Sequence, residues 1–362
     1  MLDPRLEDFD KDAFMASLKE RMGMCAEEKL LYQKIDESTE SIVPIYDQVC
    51  GFLFQDVSFA QIEPFIPDWI VKGGISPENG MSKKEYECYR KSYCSPLINR
   101  LLHWYDVEFL LHSIQDRIWS VSFFAREFFR IVPCVPEDSN IDVHSASFTL
   151  SEKTATAFAM VNAAFIALAS TFDLVSKLAI ELAEIGRYDF AHYKKMRSAD
   201  TLFKQNLKVW PELQVKGALF HENADVAMIE TLRNDYVHDR SWTTRSPVYY
   251  PQGKNGELLP PFMPIPDDDG CGHFVTSGSR RKFYSRQVML NQTLVGLISH
   301  VLEVVDRTVE AIGHGCLSRT NRQLLIPGKT TDFIAALHQG DENALSCDLS
   351  VGYESSANYD II

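Results

Sequence analysis

Apolar residues recurring every three or four positions dominate the chain, and that period predicts helices. From Pro96 to Arg130, the residues Leu101, Leu102, Tyr105, Phe109, Leu110, Ile114, Ile118, Val121 and Phe124 fall on one broad stripe that ends before Pro133 and Pro136. Ser151, with Lys153 and Thr154, opens the most apolar segment, which runs to about Ile185 and stops at Gly186. A third helix lies within Glu222–Trp242, where Val226, Ile229, Leu232 and Tyr236 recur at helical spacing. A fourth is expected from about Ser285 to Ile312, with Val288, Leu294, Leu297, Ile298, Val301, Leu302, Val305 and Val309 inside. Helices this apolar must bury one another, so segments 96–131, 151–186, 220–239 and 285–312 predict a bundle.

The flanking sequence is less regular. Phe9, Phe14, Leu18 and Met22, then Leu30, Leu31 and Ile35, suggest two amphipathic helices split near Gly23 and Met24, an appended N-terminal arm. Repeated Pro and Gly make residues 62–81 a long connection. Ser82 with Glu85 three residues on is a capping box that starts a short helix to Tyr93. Residues 139–149 are expected to be loop, and 190–198 and 199–207 short helical pieces. Pro247–Tyr250 and Phe274–Thr276 predict a small antiparallel ribbon around the stiff loop at Pro260–Gly270. The fold class is therefore mainly all-α, with a small β-ribbon insertion. Its expected domains are a helical arm and connection (1–95), a helical bundle (96–313), and an acidic, Ser-rich C-terminal tail (314–362).

The third helix runs straight into a dense cluster of ionisable side chains, and candidate chemistry is concentrated there. Arg233, Asn234 and His238 fall at or near its C-terminal turn. A histidine can give or take a proton near neutral pH, and an arginine offers a permanent cation whose fork matches phosphate oxygens. An asparagine adds a neutral donor and acceptor. The set suits attack of a ribose 2′-hydroxyl on the adjacent phosphate, a reaction that requires no metal. It equally suits a structural role, because Arg and His in a last helical turn complement the macrodipole and cap open carbonyls. Five residues separate Arg233 from His238, roughly 140° around a continuing helix. The two meet if the Arg stem wraps, if the helix ends between them, or across two subunits.

The run Arg233, Asn234, Asp235, Tyr236, Val237, His238, placed last but one in a series of helices, resembles the HEPN family of helical domains. The signature of that family is an Arg followed four to six residues later by a His, and a polar residue commonly follows the Arg, as Asn234 does here. The resemblance covers about residues 96–313. It implies a HEPN-like bundle that dimerises, brings two motifs together and cleaves RNA without metal or cofactor. It also implies a toxin or antiviral-defence setting, with an antitoxin or defence-complex partner. Arg233, Asn234 and His238 would then be the catalytic set. In one subgroup the toxin is silenced by nucleotide transfer onto a Tyr two residues after the His; Arg240 stands there in this chain, which argues against such regulation. A non-catalytic helical binding or dimerisation module is the competing expectation.

Composition narrows the picture. With 362 residues, 45% hydrophobic and 11% aromatic, the chain can bury a sizeable core. A net charge of −14 argues against a general nucleic-acid binder, so any RNA contact needs a local basic site. Arg240, Arg245, Arg280, Arg281 and Lys282 supply candidates for substrate binding. Asp235 and Asp239 work against anions there and are candidates to orient His238 or pair with an arginine. The eight cysteines contain no CxxC pair, which reads as reduced thiols with no zinc site, and Cys271-Gly-His273 is at most half of a metal site. Ala155–Phe172 is long enough to cross a membrane, yet it carries Asn162 and lacks basic anchors, so a core helix is expected. Met1-Leu2-Asp3-Pro4 followed by mixed charges does not read as a basic and apolar signal peptide, so a cytoplasmic location is expected. His221 stands out because it directly precedes the motif helix, while Trp104, Trp119 and the phenylalanines of segment 96–130 suit either core packing or base stacking.

Overall fold

A computed structural model describes residues 25–55, 58–73, 80–92, 95–135, 147–149, 151–188, 190–196, 213–238, 248–251, 259–285 and 288–314, with Phe203, Trp242, Thr243 and four residues between 334 and 338. The first predicted arm helix, the piece at 199–207 apart from Phe203, Asp239, Arg240, Arg245 and nearly all of the tail lie outside the described residues.

The protein is mainly helical. Among the described residues the helices, in chain order, are α1 (Ala26–Glu40), α2 (Val43–Leu53), α3 (Phe59–Ile62), α4 (Asp68–Lys72), α5 (Lys83–Ser92), α6 (Pro96–Phe129), α7 (Glu152–Glu184), α8 (Ala224–His238) and α9 (Leu290–Ile312). Strands β1 (Ser147–Thr149) and β2 (Val248–Tyr250) pair antiparallel, Phe148 opposite Tyr249.

Local signals account for the starts of these helices. Glu85 and Ser82 exchange hydrogen bonds ahead of α5: Ser82 N–H donates to Glu85 Oε2 at 2.7 Å, and Glu85 N–H donates to Ser82 Oγ at 3.2 Å. Ser151 and Thr154 make the same reciprocal pair at the start of α7, at 2.9 and 3.3 Å. Asn223 caps α8 by accepting the N–H groups of Asp225 and Val226 at 2.9 and 3.0 Å.

The chain divides into two compact units. One draws on Met1–Val43, Ser113–Val175 and Leu202–Ala311, the other on Pro44–His112, Ser176–Thr201 and Ile312–Ile362. The first unit buries Leu31 and Ile35 of α1, Ile114, Ile118, Val121 and Phe128 of α6, Val161, Phe165, Leu168 and Phe172 of α7, Ile229 and Leu232 of α8, and Leu294, Ile298, Val301 and Val305 of α9. Asp306 of α9 anchors α1 by accepting from Lys34 Nζ at 2.8 Å and from Ser38 Oγ and Ser41 Oγ at 3.0 Å. Thr308 Oγ1 of α9 accepts the N–H of Leu219 at 2.8 Å, which fixes the approach to α8. For α7, 61% of its most apolar window is buried inside the protein, as a core helix requires.

The second unit buries Ile45, Val49 and Leu53 of α2, Leu101, Trp104, Val107 and Leu111 of α6, and Leu178 and Leu182 of α7. Trp69 stacks on Tyr89 with centroids 5.8 Å apart. Fully buried His103 lies 5.6 Å from the ring of Phe190, whose backbone carbonyl accepts Asn99 Nδ2 at 2.9 Å.

Several expectations are corrected. Residues 62–81 are not simply a connection: α3, a 3-10 turn at Glu63–Phe65 and α4 occupy residues 59–72, with Pro67 directly before α4, where its fixed φ favours a helix start. Residues 190–196 are not helical; Phe190 has φ 57°, which no right-handed helix accepts. β2 pairs with Ser147–Thr149, a stretch expected to be loop, while Phe274 makes only an isolated bridge to Asp268. α9 begins at Leu290 instead of Ser285, because the carboxylate of Asp267 holds the N–H and hydroxyl of Ser285 at 2.8 to 3.0 Å in a loop conformation.

Candidate functional site

α8 presents its apolar side to the core through Val226, Met228, Ile229 and Leu232. Its last turn emerges from that packing. Tyr236, expected in the core stripe, is 38% exposed, and Val237 is 47% exposed. Tyr236 meets only the edge of the core through Phe158 of α7, at 5.9 Å between ring centroids.

Arg233 is half-buried, and Asn234 and His238 are exposed. The helix continues to His238, so Arg233 spans the five-residue interval by wrapping its stem. One guanidinium nitrogen, Nη1, donates to Asn234 Oδ1 at 2.7 Å and approaches His238 Nε2 at 3.4 Å. Since Arg only donates, a hydrogen bond between them has the Nε2 lone pair as acceptor, with the ring proton on Nδ1. Asp173 of α7 also faces this region. Burial raises its carboxyl above the usual range, an effect opposed by the N–H of Phe203 at 2.8 Å and by the charge of Arg233.

The basic residues do not all converge here. Lys282 is bound to Asp235 and both are largely buried, so that lysine neutralises the carboxylate beside the motif. Arg280 and Arg281 are exposed, Arg280 closing a tight turn with Ser277 through backbone bonds of 2.8 and 2.9 Å. Arg240 and Arg245 lie outside the described residues.

The chain just after α8 returns to the core through Trp242. Its ring is fully buried, and its Nε1 donates to Asn162 Oδ1 of α7 at 2.8 Å, while its carbonyl accepts the Tyr284 hydroxyl. The sequence marks Asn162 only as a residue unsuited to lipid. Its partner lies on a different helix, so no local pattern reveals the pair.

A loop lies along the other half of α8. Gly272, at φ 85°, packs its backbone directly on the helix, where a Cβ would meet Ala224 O at 2.1 Å and Met228 N at 2.7 Å. Thr231 Oγ1 donates to Gly272 O at 2.9 Å and sits 3.3 Å from His273 Nδ1. The acidic run 267–269 holds this loop in shape. Asp268 accepts the N–H of Gly270 at 2.7 Å, and Asp269 accepts those of Cys271 and His273 at 2.8 and 3.2 Å, which pulls the Asp269 carboxyl below its ordinary range. Among the described residues no third ligand joins Cys271 and His273 as a metal set.

A cavity of about 910 Å³ opens at the N-terminal end of α8, lined in part by Phe203, Leu219, His221, Asn223, Ala227 and His273. His221 therefore belongs to the opposite end of the helix from His238, and the structure does not bring the two together. On α6, Trp104, Phe128 and Phe129 are core, while Trp119 and Phe123 are exposed.

Comparison with protein-family models, with curated proteins and with solved structures finds no match to this chain.

Proposed function

We propose that the protein is a metal-independent endoribonuclease of HEPN type, with its site at the open end of α8. The observation that carries this reading is the approach of Arg233 Nη1 to His238 Nε2 at 3.4 Å on a turn that faces solvent. With the ring proton on Nδ1, the Nε2 lone pair facing the guanidinium is the one that accepts a proton. A phosphate entering the site competes for the guanidinium, drawing it off Nε2 and onto the non-bridging oxygens. His238 then removes the 2′-hydroxyl proton as the oxygen attacks phosphorus. The 5′-oxygen leaves with a proton from a second group, and the products are a 2′,3′-cyclic phosphate and a 5′-hydroxyl. Asn234 holds the guanidinium in register throughout.

A single imidazole does not serve as base and acid in one concerted step, so the proposal includes a homodimer whose second motif supplies the second proton donor. Exposed Tyr236 and Val237, on the same turns as the motif, supply apolar surface for that contact. Following the resemblance, the setting is a toxin or antiviral-defence effector in the cytoplasm, with RNA as substrate and an antitoxin or defence-complex partner. The experiment is an end-group analysis of RNA incubated with the protein in excess chelator, together with light scattering. Cyclic phosphate ends from a dimer support the reading, and cleavage that a chelator abolishes overturns it.

A second reading is favoured by the pairing of Lys282 with Asp235. With that lysine neutralised, the end of α8 is less basic than a phosphate channel requires, and the motif suits a non-catalytic dimerisation module. Folded dimers that bind no RNA and cut none would establish it.

A further inference from the structure

Cys25 and Cys134 are distant in sequence, yet the first unit brings their thiols together with a carboxylate. The sulfurs of Cys25 and Cys134 and an oxygen of Glu27 all lie within 4.8 Å of one another, and all three residues are half-buried. Both arms of the cluster are fixed by structure around them. Cys25 is the N-cap of α1, its Sγ accepting the N–H of Glu28 at 3.4 Å. Cys134 follows α6 in a segment clamped by fully buried Asn291: Val135 N–H donates to Asn291 O at 3.3 Å, and Asn291 Nδ2 donates to Pro133 O at 2.7 Å. The Glu28 carboxylate lies beside the backbone N–H of Cys134, which offsets part of the rise that burial gives that carboxyl.

The Glu27 and Glu28 carboxylates act on both thiols, which burial holds above their ordinary range and so uncharged. Four acidic groups thus converge on a partly desolvated spot, an arrangement that favours a cation. We infer that Cys25, Glu27 and Cys134 bind one divalent cation of the zinc class. Two thiolates select a borderline-soft ion over magnesium or calcium, and three protein ligands leave a fourth tetrahedral position for water. Metal–sulfur bonds of about 2.3 Å set the two sulfurs roughly 3.8 Å apart, a spacing inside the 4.8 Å within which the three donors lie. The amide N–H of Glu28, donating to the Cys25 sulfur, belongs to the outer shell that orients the donors. Uptake expels two thiol protons to solvent, so affinity rises with pH. The bound ion joins the start of α1 to the segment that follows α6.

The test is a cobalt(II) titration of the full-length, reduced, metal-free protein, followed by absorption, with zinc as competitor. The expected result is thiolate-to-cobalt absorption saturating at one equivalent and displaced by zinc, and a rise in the thermal midpoint with zinc. Cys25→Ser and Cys134→Ser should each lose the absorption while keeping the helical circular dichroism of the wild type. Glu27→Gln should weaken binding and retain the thiolate bands, which a site built only from other cysteines would not do. Absence of the absorption in folded, reduced protein overturns the inference, as does absorption that survives Cys25→Ser and Cys134→Ser. A Cys25–Cys134 disulfide that forms without reductant, in a protein that takes up no cobalt after reduction, also overturns it and replaces the metal site with a redox pair.

Discussion

Arg233 reaches His238 across about 1.4 helical turns, its Nη1 shared between Asn234 Oδ1 at 2.7 Å and His238 Nε2 at 3.4 Å. This single nitrogen links Arg233 to both Asn234 and His238. Arg233→Ala should lower RNA cleavage by on the order of a hundredfold, because it removes the group that steadies charge on the phosphoryl oxygens. Asn234→Ala leaves that cation in place and frees only its orientation, so the loss should be smaller. Single-turnover rates of the two variants check the order, and an Asn234→Ala defect equal to that of Arg233→Ala would show that orientation carries the whole effect.

Trp242 ties the end of the motif to the core. Its indole is 0% exposed and donates to Asn162 Oδ1. Asn162→Leu strands that N–H in an apolar setting, a cost of about 1–3 kcal/mol. Urea denaturation should show a lower midpoint for Asn162→Leu than for wild type, and Trp242 fluorescence should report the loss.

Gly272 holds the acidic loop against α8 at a φ of 85°, with no room for a side chain. Gly272→Ala combines backbone strain with a clash on Ala224 O, and should destabilise the protein by more than about 1 kcal/mol. Thermal unfolding measures this, and faster hydrogen exchange in residues 270–273 should accompany it. An unchanged midpoint would mean that the loop is not docked on α8.

His103 makes stability depend on pH. Its ring is 0% exposed, and neither ring nitrogen meets a hydrogen-bond partner among the described residues. Burial, and secondarily Lys194, lower its pKa to about 3. The unfolded chain therefore takes up a proton near pH 6.5 that the folded protein refuses. The stabilisation is fully present above that value and declines as pH falls toward 3, by at most about 1.4 kcal/mol per pH unit. Buried acids such as Asp106, whose carboxyl burial raises, act in the opposite sense, so the contribution is read by difference. His103→Met should flatten the pH dependence of the urea midpoint between pH 6.5 and 4 relative to wild type; parallel curves would contradict the assignment.

How much was legible in the sequence follows from the range of each interaction. α6 and α7 match their expected limits within a residue or two because a repeating apolar stripe and reciprocal caps are local signals. The same holds for the capping box at Ser82. Three-residue strands carry no period, so the partner of Val248–Tyr250 was out of reach, and punctuation by Pro64 and Pro67 masked the short helices they help to start. Tyr236 fits the stripe by spacing, yet α8 leaves the core before its last turn, and only the packed structure shows where that happens. Arg233, Asn234 and His238 were identifiable as a set, but their geometry depends on the bend of one side chain. The Trp242–Asn162 bond and the Cys25–Glu27–Cys134 cluster join distant segments and leave no motif in the chain.

The most direct measurement is cleavage of single-stranded RNA by wild type and by His238→Ala in excess chelator, with circular dichroism confirming that both are folded. The account predicts metal-free cleavage by wild type that leaves cyclic phosphate ends, no cleavage of the matching DNA, which lacks the attacking 2′-hydroxyl, and a loss of about a hundredfold or more in the variant. Cleavage by His238→Ala at the wild-type rate, or by neither protein under conditions where RNA is bound, would contradict it.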